Sequence, residues 1–287
     1  MPDPSPIFRF APSPTGALHL GNGFSALYSF AAAQATQAAG GRFLLRVEDI
    51  DQGRCRPEYE AAMLADLAWL GLVWETPVRR QSEHMADYAA ALATLDDAGL
   101  IYPCFCTRKQ IAREIAAAPS APHGPDGARY PGTCRNLSKS ARKDKIAAGT
   151  PYALRLDSAA AAARVAANLT WHDRGKGIQT CRPTAHGDVV LARKDTPTSY
   201  HLAVTVDDAL QGVSCVTRGM DLFAASHVHR LLQALLDLPT PEYDHHRLLL
   251  DDEGSRLAKR QGSISLADMR AAGTDPVALR RDLGFEF

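Results

Sequence analysis

Short apolar runs punctuated by glycine and proline set the pattern of the first hundred residues. Ile7–Phe10 is such a run, ended by Pro12 and Pro14, and reads as a strand. From Gly21 to Ala39 the residues are mostly small and apolar, rich in helix-favouring alanine, and Gly40-Gly41 supplies a C-terminal stop. Arg42–Val47 is a compact strand. Pro57 then suits the first position of a helix, and Glu58–Leu70 carries apolar residues at helical spacing before Gly71. Strand, helix, strand, helix in this order predicts a parallel sheet with right-handed crossovers.

The middle of the chain loses that rhythm. Ala116–Gly127 is rich in alanine, proline and glycine and reads as a mobile loop, while the alanine-rich Ala159–Ala167 carries no clear period. The α/β pattern returns with strands at Asp188–Ala192 and Val213–Thr217, a helix at Phe223–Leu236 and a strand at Arg247–Leu250. That last strand runs into a polar loop at Asp251–Gly262. The order predicts one α/β unit in two halves, residues 1–100 and 186–287, around an inserted subdomain at 101–185.

Composition narrows the field. The chain has 287 residues, 46% hydrophobic and 22% charged, as in ordinary globular proteins. Lys+Arg and Asp+Glu are both 32, so any nucleic-acid contact must come from local basic groups. Candidates are Arg135, Lys139, Arg142, Lys143 and Lys145, and the cluster Arg256, Lys259, Arg260, each also readable as a solvated face. No run approaches the roughly 20 apolar residues of a membrane helix. Met1–Ile7 has prolines and an aspartate where a basic and then apolar leader would stand. The reading is a cytoplasmic protein with no membrane partner, expected as a monomer.

Candidate chemistry concentrates in Phe10-Ala11-Pro12-Ser13-Pro14-Thr15-Gly16-Ala17-Leu18-His19-Leu20-Gly21-Asn22. A rigid turn here leads from a strand into a helix N-terminus, whose free N–H groups and positive dipole end suit a phosphate. His19 can donate to a phosphate oxygen, and Gly21 lets a flat ring approach the backbone. Gly21-Asn22-Gly23-Phe24-Ser25-Ala26 also fits a dinucleotide-binding pattern. That pattern should follow its strand at once, and here two prolines intervene.

The whole run resembles the first signature of the class I aminoacyl-tRNA synthetases, with His19-Leu20-Gly21-Asn22 where the family has His-Ile-Gly-His. The form Arg9-Phe10-Ala11-Pro12-Ser13-Pro14-Thr15-Gly16 resembles the glutamyl branch. Four further segments match in order: Arg46–Asp51, Ser199–Ala203, Arg218–Leu222 and Arg256–Arg260. The resemblance implies a Rossmann-like α/β catalytic domain with a zinc-bearing insertion. It implies ATP, with Mg2+, held by His19, Gly21, Asn22 and Lys259, of which His19 and Lys259 are catalytic. It implies L-glutamate held by Arg9, Ala11, Ser13, Glu48, Tyr200 and Arg218. The chemistry agrees: arginine suits a bidentate grip on a carboxylate, Glu48 suits an ammonium, and a loop lysine can meet charge developing on a phosphate.

Departures refine this. The lysine loop reads Arg256-Leu257-Ala258-Lys259-Arg260, with arginine or alanine where the family's Lys-Met-Ser-Lys-Ser has its first lysine and both serines. Only 25 residues follow Gly262, too few for the family's anticodon-binding domain, so none is expected. A short chain of this kind resembles the truncated glutamyl paralogs, which activate glutamate and transfer it to the queuosine of tRNA(Asp). Two alternatives stand beside that reading: a short synthetase charging the 3′ end of tRNA(Glu) or tRNA(Gln), and a silent RNA-binding paralog.

Six cysteines remain to be placed. Cys104, Cys106 and Cys134 share one region, and in a reducing compartment three thiolates plus a fourth ligand suit a structural zinc. Simple burial of the three is the competing reading. The spacing leaves His123 or Tyr130 as fourth ligand; resemblance to the short paralogs, with Cys-x-Cys followed by Tyr-x-x-x-Cys, implies Tyr130.

Overall fold

The computed structural model describes residues 5–117, 123–124, 127–250 and 264–287. Twelve strands appear among them: β1 (Ile7–Phe10), β2 (Arg42–Val47), β3 (Glu75–Arg80), β4 (Ile101–Cys104), β5 (His123–Gly124), β6 (Gly127–Ala128), β7 (Ala153–Leu156), β8 (Thr170–Asp173), β9 (Gly177–Thr180), β10 (Val190–Ala192), β11 (Cys215–Gly219) and β12 (Glu242–His246). The helices are α1 (Leu20–Ala35), α2 (Pro57–Trp69), α3 (Met85–Asp97), α4 (Arg108–Ala117), α5 (Lys139–Ala147), α6 (Ser158–Arg164), α7 (Tyr200–Leu210), α8 (Ser226–Leu235), α9 (Leu266–Ala271) and α10 (Pro276–Asp282). None of the described helices is long and apolar enough to cross a membrane.

β1, β2 and β3 form a parallel sheet with Arg9 opposite Leu44. β11, β12 and β8 form a second parallel set, closed by the antiparallel β9. The two sets abut where the Ile7 amide donates to Ser214 Oγ at 2.8 Å and the Ser214 amide to Ile7 O at 3.0 Å. Helices α1 and α2 are the crossovers of the first half and α8 that of the second. The junction of β1 and β11 is therefore where successive crossovers diverge, and the carboxyl ends of these strands open there into a crevice, the usual ligand position of such sheets. A separate antiparallel sheet, β10-β7-β4, carries the inserted residues.

The early expectations hold closely, because they rest on local period and punctuation. β1 and β2 occupy the expected residues, α2 starts at Pro57, and α1 ends at Ala35 with a 3-10 turn, Gln37–Ala39, before Gly40 at φ 77°. Gly41 is also required, since a Cβ there would lie 2.4 Å from Ala33 O.

Later expectations need correction. The strand expected at Arg247–Leu250 lies instead at Glu242–His246, paired with Cys215–Gly219. Its polar sequence hides it: His245 and His246 are buried by hydrogen bonding and an apolar pattern does not report them. The helix expected at Phe223–Leu236 begins at Ser226. The strand expected from Asp188 begins at Val190, because Asp188 is a buried acceptor for Tyr102, Ser158 and Arg135. Ala116 and Ala117 of the expected loop close α4; 118–122 and 125–126 lie outside the described residues. The β8–β9 hairpin falls within the 101–185 span yet pairs with β12, so that span contributes to both sheets.

The main core lies between the first sheet and α1, α2 and α9, with Phe8, Leu27, Leu45, Leu67 and Leu266 at its centre. A second cluster joins α3, α7 and α8 to the inserted sheet through Tyr88, Leu156, Leu202 and Leu231. Leu27 is 0% exposed and Val73 is 74% exposed. Leu27→Ala is expected to lower unfolding free energy by about 2–5 kcal/mol in urea titration. Val73→Ala should stay within about 0.5 kcal/mol of the unsubstituted protein.

Candidate active site

The turn after β1 delivers the chain to the N-terminus of α1, where Asn22 Oδ1 accepts from the His19 amide at 3.1 Å. Capping by its carbonyl leaves the Asn22 amide N–H groups as donors. The Leu18 carbonyl accepts from the Leu266 amide at 2.9 Å, tying this end of α1 to α9. His19, Gly21 and Asn22, expected at the nucleotide, line a cleft of 410 Å³ at the ends of β1 and β11. Arg9, Ala11, Ser13, Glu48, Tyr200 and Arg218, expected at the amino acid, line the same cleft. Lys259, with Arg256 and Arg260, lies outside the described residues.

Four strongly buried charges underlie this cleft. Asp208 on α7 takes the Nε (2.9 Å) and Nη2 (3.3 Å) of Arg9, and also the Nη1 of Arg46 at 2.8 Å. Arg46 Nη2 reaches Glu48 Oε1 at 3.2 Å. Burial alone would neutralise Asp208, but Arg9 and Arg46 outweigh it and hold its carboxyl below the ordinary range. Burial also works against the Arg46 charge, and Asp208, Glu48 and Asp207 outweigh it, so its ionisation is reinforced. At Glu48 burial wins: the carboxyl is pushed above its ordinary range, with Arg46 and Arg9 offsetting part of the push. Arg9 also donates to Thr217 O at 3.1 Å. Three of its five N–H groups are thus used by described residues, and the others remain for a ligand.

Arg218 has a different environment. It is 5% exposed and donates to His245 Nε2 (3.1 Å), His229 Nδ1 (3.1 Å) and Ser226 Oγ (2.6 Å), with a longer contact to Tyr200 Oη (3.5 Å). Among the described residues no carboxylate forms an ion pair with it. Burial, then the nearby Arg218 charge, lowers His245 to about 4, and the same causes hold His229 well below its usual value.

The cysteine trio stands apart from this cleft. Cys104, Cys106 and Cys134 bring their Sγ atoms within 4.8 Å of one another, with Cys106 Sγ 3.5 Å from both Cys134 Sγ and Tyr130 Oη. Three sulfurs at this spacing fit one tetrahedral ion at the roughly 2.3 Å bond length of zinc thiolates. Cys106 also lines a second cleft, of 990 Å³, whose wall includes Ser13, Glu48 and Tyr200 of the first. Arg54, Arg108, Arg155, Arg193 and Lys194 lie along it.

Two cations suggested as RNA contacts have internal partners instead: Arg135 pairs with Asp188 at 3.1 Å, and Arg142 donates to Arg135 O at 2.6 Å. Sequence reasoning missed Arg46, Asp208, His229 and His245 as site residues. Arg46 sits inside a quoted motif, and Asp207-Asp208 is an acidic pair in an apolar helix, a signal that was available. The two histidines carry none.

A family model described as tRNA synthetases class I (E and Q), catalytic domain, matches residues 7–285. A Rhodobacter capsulatus protein named glutamyl-Q tRNA(Asp) synthetase is 48% identical over 284 residues, covering 97% of this chain and 99% of that one. One of the same name from Nocardia farcinica is 48% identical, covering 93% and 80%. A glutamate tRNA ligase from Elizabethkingia meningosepticum, solved in complex with its amino acid, matches with TM-score 0.72 and 26% identity over 94% of this chain. The match spans 53% of that protein, about half its length. The glutamate-tRNA synthetase of Elizabethkingia anophelis gives TM-score 0.75 and 27% identity over 94% and 54% of the two chains.

The buried histidines predict an acid-side loss of stability. His227 is held at about 4 by burial and then by Arg182, and His245 at about 4 by burial and then by Arg218. The unfolded chain takes up these protons near the ordinary ~6.5, before the folded one does. Their stabilisation is complete above ~6.5 and lost as pH falls to about 4. Urea midpoints should fall across that window, and His227→Gln should reduce the slope.

Proposed function

Because the chain belongs to the class I tRNA synthetase family of the glutamyl and glutaminyl type, we propose that it activates L-glutamate with ATP and transfers it to the queuosine of tRNA(Asp). The observation that carries this reading is the joining of two buried arginines, an acidic Glu48 and a helix N-terminus in one crevice. Arg218, with no carboxylate partner among the described residues, and the outer edge of Arg9 suit the carboxylate side chain. Glu48 accepts the α-ammonium, Tyr200 forms the polar wall, and Ala11 and Ser13 line the amino-acid end. At the other end His19, Gly21 and Asn22 meet the nucleotide with its Mg2+. Lys259 is assigned to the α-phosphate on sequence grounds.

The reaction balances in two steps. The glutamate α-carboxylate attacks the α-phosphorus of ATP, forming glutamyl-adenylate and releasing pyrophosphate. A hydroxyl of the queuosine cyclopentenediol then attacks the mixed anhydride, giving an ester, a proton and AMP. The second cleft opens onto the amino-acid end, and Arg108 and Lys194 offer it positive charge for an RNA strand, while Arg54 and Arg193 are paired with Asp51 and Asp195. The similarity to a relative named for this transfer, 48% identical across 97% of this chain and 99% of that one, favours queuosine over a tRNA 3′ end.

Zinc belongs to the same reading as a structural ion. Cys104, Cys106 and Cys134 supply three thiolates, and Tyr130 is the proposed fourth ligand. Its Oη is 3.5 Å from Cys106 Sγ and accepts from the Cys134 amide at 2.9 Å. Burial, then the neighbouring thiols, push the phenol upward, a cost that a bound cation would offset. The side chain of the alternative, His123, lies outside the described structure.

Pyrophosphate exchange dependent on glutamate should proceed without RNA. Labelled glutamate should then enter tRNA(Asp) carrying queuosine, and neither queuosine-free tRNA(Asp) nor tRNA(Glu). Labelling of tRNA(Glu) instead would establish 3′ charging, and the absence of both labelling and exchange a silent paralog. Metal analysis should find one zinc per chain, lost in Cys134→Ala. Zinc retained at full stoichiometry in Tyr130→Phe would remove Tyr130 from the ligand set.

A further inference from the structure

The arginines of the amino-acid end fall into two electrostatic kinds. Arg9 and Arg46 each contact the carboxylate of Asp208, so their charges are balanced within the protein. Arg218, equally buried, is held on three sides by neutral acceptors: His245 on Nε, His229 on Nη1 and Ser226 on Nη2. The ring of Tyr243 lies 5.2 Å from its guanidinium carbon.

Hydrogen-bond bookkeeping fixes both imidazoles. His245 Nε2 accepts from Arg218, so its proton is on Nδ1 and donates to Asp173 Oδ2 at 2.6 Å. Asp173 is itself anchored, its Oδ1 accepting from the amides of Gly175 (3.0 Å) and Lys176 (2.9 Å). His229 Nδ1 likewise accepts from Arg218, so its Nε2 donates to His201 Nδ1 at 3.2 Å. The carboxylate nearest along this chain, Asp173, is thus separated from Arg218 by a whole imidazole ring. Burial keeps both rings uncharged, as an acceptor role requires.

We propose that His229 and His245 are specificity-determining positioning residues. As neutral acceptors on two edges of Arg218 they fix its plane while leaving its charge uncompensated, so that the cleft takes a carboxylate side chain in preference to a carboxamide. The inference rests on the reading of glutamate as substrate. Its physical basis is that a cation without a protein counter-charge gains a Coulomb attraction from a carboxylate that an uncharged carboxamide does not supply, an advantage lost once a protein carboxylate occupies the guanidinium.

The test is a pair of nearly isosteric variants, His229→Asn and His229→Asp, both able to place an oxygen near the Nδ1 position. Pyrophosphate exchange on the full chain, with glutamate and then glutamine, reads the preference as a ratio of kcat/KM. His229→Asn is expected to keep the ratio within about threefold, whereas His229→Asp should reduce it by at least about tenfold, through KM for glutamate and with KM for ATP unchanged. Should His229→Asp not fold, His245→Gln and His245→Leu decide at the other edge: glutamine keeps an acceptor near the Nε2 position and the preference, leucine loses both. Equal ratios within the pair that folds overturn the proposal. Absence of glutamate-dependent exchange in the unsubstituted protein would overturn the substrate reading itself, and this inference with it.

Discussion

A single carboxylate, Asp208, binds two buried arginines from neighbouring strands: Arg9 of β1 and Arg46 of β2. Arg9 and Phe10 of β1 and Glu48, the residue after β2, line the cleft, and Asp208 comes from α7, whose first residue, Tyr200, lines it too. Arg9 adds a bond to Thr217 O of β11, so one cluster holds both halves of the sheet at the point where they diverge. Removing one member of such a buried set costs about 3–5 kcal/mol, because the remaining charges keep their desolvation without their partner. The registry of β1, β2, β11 and α7 therefore depends on this cluster being complete.

Completeness of that cluster allows the cleft to carry charge elsewhere. With Arg9 and Arg46 answered by Asp208, the carboxyl of Glu48 is shared less fully. Burial pushes it upward, which makes it responsive to an arriving cation. Arg218 is the opposite case, a cation bounded by uncharged groups. The cleft of 410 Å³ thus has one group prepared for a positive charge and one for a negative charge. The α1 N-terminus at the far end adds a positive dipole where phosphate is expected.

The inserted sheet contributes by position. Asp188 fastens it, accepting from Tyr102, Ser158 and Arg135, and the cysteine cluster at the end of β4 places Cys106 on the wall of the second cleft. That cleft shares Ser13, Thr15, Glu48 and Tyr200 with the first, so anything held against the cysteine-bearing segment has an open path to the first cleft.

Local sequence determined the first half of the fold. Proline and glycine punctuation, and a period of two or of 3.6, are properties of neighbours in the chain, and β1, α1, β2 and α2 follow from them. It also singled out Arg9, His19, Glu48, Tyr200 and Arg218, which line one cleft, and Cys104, Cys106 and Cys134, which cluster, through motifs each confined to a few residues. Tertiary structure decided the rest, because the deciding partners are distant: Asp208 lies 199 residues from Arg9 and 162 from Arg46. The strand β12 escaped the hydrophobic pattern because His245 and His246 satisfy burial by hydrogen bonds to Arg218, Asp173 and Ser25, from three other parts of the chain. Whether a buried arginine is neutralised or left charged depends on what folds against it, and no run of neighbouring residues specifies that.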